Sequence, residues 1–221
     1  MKLTKTTTAL WLLLMASPAL AETATVPAEQ LFPYLANYYS LPPASRNHFE
    51  LGYYLNVKGD RNTVSAILKG ASGDVPLQIA ADGRLSPLPS AADLAAKRQI
   101  ALSAPKGTSV GMALKIRPST PPSANLDAAY LAVAVTQAHD GAKKAAGLLG
   151  VMVPNLQTVC FDGAHQGSAV LASGKTAALP VLARPGTPVK APCFTPSDMP
   201  GAIRITLDQT PVAMFIGPRP K

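Results

Sequence analysis

Residues 65–73 read SAILKGASG and residues 168–174 read SAVLASG, so one short motif occurs twice in the chain. Further matches lie at residues 89–90 and 196–197 (Pro-Ser) and at residues 116–118 and 216–218 (Ile-x-Pro). The copies are offset by about 100 to 107 residues. A period of this length indicates a duplicated unit of roughly domain size and not a short-repeat solenoid.

The segments around each copy have the patterns of short strands and a few helices. Leu31, Leu35 and Tyr38 recur at helical spacing, which predicts a helix over 27–39. Runs rich in aromatic and β-branched residues predict strands. The other predicted elements of the first half are a hairpin of 49–57 with 63–68, a strand over 75–80, a short helix over 90–97, and a strand pair of 100–103 with 110–116.

The second half follows the proline-rich linker at 118–123, which reads PSTPPS. Residues 130–135 favour a strand slightly over a helix, and Gly141 separates them from a helix over 142–149. The remaining strands are predicted near 158–161, 168–172, 178–182, 203–207 and 212–216.

A helix followed by a run of strands thus occurs twice, which is typical of antiparallel pairing in an α+β protein. We expect two similar units, each a helix followed by a short-stranded antiparallel sheet, in an arrangement compatible with pseudo-symmetry. The predicted division is a signal peptide over 1–21, a first unit over 22–120 and a second unit over 121–221. Two tandem domains and one intertwined domain both fit this pattern.

The N-terminal residues have the pattern of a secretory signal peptide. Lys2 and Lys5 form a positive segment, residues 9–15 (ALWLLLM) an apolar core, and residues 19–21 (ALA) a small-x-small cleavage site. The apolar run is shorter than the roughly 20 residues that a membrane span requires. We therefore expect cleavage after Ala21, no transmembrane segment after cleavage, and a location in the periplasm or outside the cell.

The charge of the chain restricts its partners. Removal of Lys2 and Lys5 lowers the formal net charge from +8 to +6, and no run of five or more basic residues occurs. This modest charge favours solubility and at most a mild preference for acidic surfaces. We therefore predict no nucleic-acid partner, and name cell-envelope polysaccharide or another exported protein as the candidate partners.

The two cysteines, Cys160 and Cys193, predict a disulfide because an even number in an exported chain usually pairs. Closing this loop of about 34 residues stabilises the fold by about 4 kcal/mol in the chain-entropy model. The alternative is a metal site formed by Cys160, Asp162 and His165. That site lacks a fourth ligand, so the disulfide is preferred and no metal is predicted.

Gly174, Lys175 and Thr176 match the end of a phosphate-binding loop, but Ala169 stands where its first glycine is required. The repeat places residues 72–74 (SGD) opposite this segment. Both copies of the repeat share this position, but only one of them has the lysine. A hairpin turn common to both copies therefore explains the segment better than a phosphate-binding loop. We therefore predict no nucleotide and no other cofactor.

Aromatic residues are concentrated near the N-terminus, with seven of the chain's twelve between residues 32 and 54. Tyr34, Tyr38 and Tyr54 are candidate ligand-binding residues because tyrosines stack on sugar rings, and Arg46 and His48 are candidates for orienting a polar or acidic ligand. The alternative is that the rings pack the helix onto the first strand. Alternation places Tyr54 and the residue before it on opposite faces, so at least one is expected outside the core.

The function expected from these patterns is an exported, non-enzymatic binding or structural module. The alternative is a cell-envelope hydrolase with its site between the two units. A hydrolase would bring a histidine or a pair of carboxylates into one cleft, whereas a binding module would show exposed tyrosines around a groove.

One part of the chain resembles a known group of proteins. The pattern of Lys143 and Lys144, followed by residues 145–147 (AAG) and Pro154, combines with the strand pair over 203–218 and the signal peptide. This combination resembles an uncharacterised family of exported bacterial proteins. The resemblance implies export and a similar fold, but no activity and no catalytic residues.

The cleavage site can be tested by intact mass spectrometry of the exported protein, which should begin at Glu22. Because the enzyme that cleaves signal peptides requires a small residue before the cut, Ala21→Tyr should leave the chain unprocessed. Leu20→Tyr is the matched control, since the middle position of the small-x-small pattern is variable. Exported material that retains residues 1–21 would contradict the prediction.

Overall fold

The computed structural model of the protein describes residues 21–71, 73–146, 154–183 and 189–220. The predicted signal peptide lies outside these residues except for Ala21. The described residues are mostly β, with 43% strand in three antiparallel sheets and 23% helix. The predicted α+β class, with two helix-plus-sheet units, is therefore wrong.

The described chain contains fifteen strands and four α-helices. The strands are β1 (Ala21–Pro27), β2 (Phe49–Lys58), β3 (Ser65–Leu68), β4 (Val75–Ile79), β5 (Leu85–Ser86), β6 (Gln99–Pro105), β7 (Ser109–Pro118), β8 (Asn125–Asp127), β9 (Thr158–Asp162), β10 (Gly167–Leu171), β11 (Thr176–Ala178), β12 (Val181–Ala183), β13 (Lys190–Phe194), β14 (Ala202–Leu207) and β15 (Ala213–Gly217). The helices are α1 (Ala28–Leu31), α2 (Leu35–Ser40), α3 (Ala91–Ala95) and α4 (Ala128–Ala146).

The three sheets divide the strands in a way that local patterns do not reveal. The five-stranded sheet has the order β1-β6-β3-β4-β5 and the four-stranded sheet the order β11-β10-β14-β8. The six-stranded sheet, β12-β13-β9-β15-β7-β2, takes strands from both halves of the chain. Its two halves meet where Ile116 of β7 lies opposite Ile216 of β15. The sheets therefore do not separate into one per half, and the division near residue 120 stays a prediction.

Both hairpins predicted in the first half have the wrong partners. The strand β2 pairs with β7, and β3 pairs with β4 and β6. The turn predicted after β6 is present, with the Thr108 N–H donating to the Pro105 carbonyl at 3.0 Å, but β6 and β7 then enter different sheets. Because β2 is buried on both faces, it belongs in the central sheet, and burial has overridden the short connection to β3.

The helices also differ from the predicted ones. The helix expected over 27–39 is two short helices, α1 and α2, because Pro33 cannot continue the first and Tyr34 has a left-handed φ of 66°. The strand expected over 130–135 is wrong, since these residues belong to α4. The part of the helix predicted over 142–149 that follows Ala146 lies outside the described residues.

The long helix α4 buries one side against the sheets. Its buried residues include four at helical spacing, Leu131, Ala134, Val135 and Ala138. Gly141 continues this side, and a Cβ there would lie 2.9 Å from the Cζ atom of Phe49. The glycine is therefore explained by close helix-to-strand packing and not by a helix boundary.

Two hydrophobic clusters form the core. One surrounds Tyr53 and Phe32 under the five-stranded sheet, and the other surrounds Phe161 and Phe194 under α4. Tyr38 packs against both clusters. The short helix α2 therefore lies where the two cores meet.

The predicted turn and disulfide are confirmed. Gly174 has a φ of 80° in the hairpin between β10 and β11, where its N–H donates to the Leu171 carbonyl at 2.9 Å. Cys160 and Cys193 lie directly opposite each other in β9 and β13 and form a disulfide, with Cα atoms 4.1 Å apart. This bond is consistent with an exported protein. In the described ranges no helix is long and apolar enough to cross a membrane.

The contribution of the disulfide can be measured with the double variant Cys160→Ala, Cys193→Ala. Both sulfurs are buried, so we expect a loss of about 2–4 kcal/mol in the free energy of unfolding from the missing loop constraint. Urea denaturation of both proteins measures the difference. An unchanged midpoint would contradict a stabilising role for the bond.

Candidate functional site

An open apolar cleft lies between α2, α4 and the strands β2 and β7. Its volume is about 230 Å³. We call it the α2–α4 cleft. Its described lining residues are Tyr34, Tyr38, Leu41, Phe49, Leu51, Leu114, Ile116, Ala138, Gly141, Ala142, Ala145, Ala146 and Pro154.

Small residues on α4 make room for the cleft. Ala138, Gly141, Ala142 and Ala145 follow one another at the spacing of a single helix face. Because none of these side chains is larger than a methyl group, the helix cannot fill the space above Leu51 and Leu114. The polar atoms that its described side chains contribute are the hydroxyls of two tyrosines.

Tyr38 forms one wall of the cleft and is fixed from several directions. Its hydroxyl donates to the Phe49 carbonyl at 3.0 Å, and its ring meets the Phe49 ring edge-on with centroids 5.4 Å apart. The Arg46 guanidinium lies 5.3 Å from the centroid of the Tyr38 ring. Burial raises the pKa of the Tyr38 hydroxyl, and the hydrogen bond and charge of Arg46 oppose that rise.

Tyr34 stands at the cleft with 58% of its surface exposed. Its φ of 66° is a left-handed conformation that costs a residue with a side chain roughly 1–2 kcal/mol. A hydrogen bond from the core fixes this turn, because the buried Tyr53 hydroxyl donates to the Pro33 carbonyl at 2.6 Å. Burial is also the main cause that raises the pKa of Tyr53 far above its usual range.

The five predicted ligand-binding residues are not all in one place. The structure brings Tyr34 and Tyr38 together in the α2–α4 cleft, with Arg46 behind the Tyr38 ring. His48 lies outside the described lining, with its ring 4.6 Å from that of Tyr130 and its Nδ1 atom 2.7 Å from Asn47 Oδ1.

Tyr54 lies on the opposite face of the six-stranded sheet and is only 2% exposed. Its ring packs against Phe215, and the Lys115 ammonium lies 4.5 Å from its centroid. The prediction that Tyr53 or Tyr54 would lie outside the core is wrong, because the sheet is covered on both faces where these residues stand.

The helical side of the cleft was missed by sequence reasoning. The pattern of residues 130–135 favours a strand and Gly141 is predicted to be a separator, so the predicted helix begins at Ala142 and leaves out Ala138 and Gly141, which belong to α4. The signal was nevertheless present, since these residues and Ala145 recur at a spacing of three or four.

The described residues offer no alternative set of metal ligands. Within the described ranges, no group of three or more His, Cys, Asp and Glu side chains could hold a metal ion. The sulfur of Cys160 is bound to Cys193, so it is not available for the metal site considered with Asp162 and His165. The described lining of the cleft contains no histidine and no carboxylate, and the hydrolase alternative stays a prediction.

Comparison of the chain with protein-family models, with curated proteins and with solved structures finds no match. The resemblance to a family of exported bacterial proteins therefore stays an expectation.

The role of Tyr53 predicts a dependence of stability on pH. A hydroxyl whose pKa is raised by folding stabilises the fold below the unfolded pKa, about 10, and this contribution is lost as the pH rises through the folded value. At pH 7 the free energy of unfolding of Tyr53→Phe should be about 1 kcal/mol below that of the parent, because the hydrogen bond is missing. Between pH 7 and pH 11 the free energy of unfolding should then fall less for Tyr53→Phe than for the parent. Urea denaturation at the two pH values measures both effects.

The matched control is Tyr34→Phe, which removes a hydroxyl from an exposed ring. This variant should unfold like the parent at both pH values. Equal losses for the parent and Tyr53→Phe between pH 7 and pH 11 would contradict the role of the buried hydroxyl.

Proposed function

We propose that the protein is exported after cleavage behind Ala21 and acts in the periplasm or outside the cell as a non-enzymatic binding module. The α2–α4 cleft is its binding site, and this cleft accepts an apolar group of the ligand. The observation that carries this proposal is an open cleft walled by carbon atoms with the exposed ring of Tyr34 beside it. The disulfide supports export, because such bonds persist in oxidising compartments.

The size and chemistry of the cleft restrict its occupant. Its volume of about 230 Å³ is below the roughly 300–1,000 Å³ of sites that hold drug-sized ligands. A polysaccharide would need several convergent donors and acceptors, and the described side chains supply two hydroxyls, of which that of Tyr38 already donates to Phe49. An apolar anchor from another exported molecule fits better than a sugar.

The backbone at Tyr34 supports a role in binding. Glycine would adopt its left-handed conformation without steric cost, yet the chain places there a large ring that is 58% exposed. Strained conformations of this kind are concentrated at ligand sites, where the surrounding structure maintains them. Here the hydrogen bond from Tyr53 to Pro33 supplies that support.

We also propose that the chain contains an internal repeat, and strand register supports it. Ser65 lies opposite Ser103 in the five-stranded sheet, and Ser168 lies opposite Thr206 in the four-stranded sheet. The strand orders β1-β6-β3-β4 and β8-β14-β10-β11 correspond position by position along the sequence. Equivalent serines of the repeated motif therefore have equivalent partners.

The binding site can be tested with N-phenyl-1-naphthylamine, a neutral apolar dye that fluoresces when it leaves water. Ala142→Leu adds a branched chain to the cleft wall and should weaken dye binding at least tenfold. The matched control is Ala129→Leu, an exposed position on the same helix outside the cleft lining. Circular dichroism verifies that both variants fold. Equal binding by the two variants would overturn the proposal.

Tyr34→Gly separates binding from stability. Relief of the left-handed strain offsets the greater chain entropy of glycine, so the free energy of unfolding should change by less than about 1 kcal/mol. Loss of the ring should weaken dye binding about fivefold. Fluorescence titration and urea denaturation measure the two effects, and unchanged dye affinity would contradict the assignment of Tyr34 to the site.

A further inference from the structure

The strand β1 is a long edge strand of the five-stranded sheet, and its outer side is open. It pairs with β6 along all seven of its residues, from Ala21 to Pro27, in one unbroken register. Glu22 and residues 23–25 are exposed. Within the described ranges, no hydrogen bond reaches the main chain of β1 from the side that faces away from β6. Such an edge presents unpaired N–H and C=O groups that can pair with another strand.

The other sheet edges in the described part of the chain are protected. The edge strands β5, β8, β11 and β12 have only two or three residues each. The edge strand β2 is long but covered, since the Leu55 N–H donates to the Gly83 carbonyl at 2.8 Å and Tyr54 forms a bridge with Arg84. Short strands and covered edges are common protection against pairing with another chain, and β1 has neither.

The ladder with β6 determines which groups of β1 point outward. Directly after β1, the Ala28 N–H donates to the Arg98 carbonyl at 2.8 Å, in the same register as the ladder. Hydrogen-bonded and non-hydrogen-bonded pairs alternate along an antiparallel ladder. The even-numbered residues of β1 therefore direct their N–H and C=O groups toward β6, and those of Thr23 and Thr25 point away from it.

We propose that β1 is a pairing site for a second copy of this chain, whose own β1 runs antiparallel beside it about a two-fold axis. Thr23 of one copy lies opposite Thr25 of the other, and these residues exchange two main-chain hydrogen bonds. Ala24 lies on the axis, where its small side chain meets its counterpart. Glu22 lies opposite Val26, so no like charges face each other across the pairing.

The sequence of β1 favours this register. If Thr25 lay on the axis, Thr23 would lie opposite Pro27, and a proline inside the ladder has no N–H to donate. If Thr23 lay on the axis, Thr25 would lie opposite position 21, which the proposed cleavage removes. With Ala24 on the axis, the outward N–H and C=O groups of Thr23 and Thr25 are all paired.

The pairing limits itself to two copies. It joins two five-stranded sheets into one sheet whose outer strands are both β5, which has two residues. Because each copy uses the same edge, the assembly ends at a dimer. No residue of β1 belongs to the described lining of the α2–α4 cleft, so the dimer does not depend on the proposed ligand. A contact made mainly by one strand edge is small, and we expect a weak dimer that forms as the concentration rises.

Analytical ultracentrifugation of the mature exported protein should show a reversible monomer–dimer equilibrium. The variant Thr25→Pro removes an outward N–H but keeps β1 on β6, since proline is tolerated where the N–H faces solvent. It should weaken dimerisation about tenfold or more, because both symmetric hydrogen bonds are lost. The matched control Thr25→Val keeps the N–H and should dimerise like the parent. Circular dichroism verifies that both variants fold.

Ala24→Cys tests the position of the axis without a proline. Residues opposite each other in a non-hydrogen-bonded pair have Cα atoms about 4.5 Å apart, which a disulfide can bridge. This variant should form a disulfide-linked dimer on air oxidation, seen by electrophoresis without reductant. The matched control Thr25→Cys should cross-link about tenfold more slowly, because its counterpart lies further along the ladder.

Two results would overturn the proposed dimer. One is a protein that stays monomeric at every concentration while Ala24→Cys cross-links no faster than Thr25→Cys. The other is a Thr25→Pro variant that folds and dimerises as strongly as Thr25→Val, since the outward N–H would then have no role in the contact.

Discussion

The pairing of Ile116 with Ile216 joins the two halves of the chain in one sheet, and much of the remaining architecture depends on it. On one side of this contact the strands lead into ladders that cover the core under α4. On the other side they diverge, and Pro218 and Pro220 line the gap between them. The same contact therefore joins the two halves of the sheet and marks the point beyond which β7 and β15 separate.

A second set of interactions fixes the wall of the α2–α4 cleft. The buried hydroxyl of Tyr53 donates a hydrogen bond to the carbonyl of Pro33. Pro33 ends the first helix, and the next residue, Tyr34, has a left-handed conformation. Tyr38 then hydrogen-bonds to Phe49 on the neighbouring strand. Rigid, buried contacts thus maintain an exposed ring, which is the arrangement expected where preorganisation reduces the entropic cost of binding.

Sequence reasoning identified features that depend on local chemistry. The hairpin turn at Gly174 and the bond between Cys160 and Cys193 were predictable, because turn residues and an even cysteine count carry their own physical reasons. Strand partners were not, since β2 finds its partner through burial on both faces and not through its short loop to β3. The tyrosines of the cleft were visible as an aromatic cluster. Its helical wall was obscured because alanine and valine near residue 133 suit both a strand and a helix.

The disulfide also limits how far the folded chain can be stretched. Its cysteines are separated by 33 positions, and the enclosed loop contains β10, β11 and β12. At roughly 3.4 Å per extended residue, tension applied to the two ends would leave about 110 Å of chain unextended. A pulling force would therefore pass directly from β9 to β13 through the sulfur atoms, and the loop between them would carry none of the load.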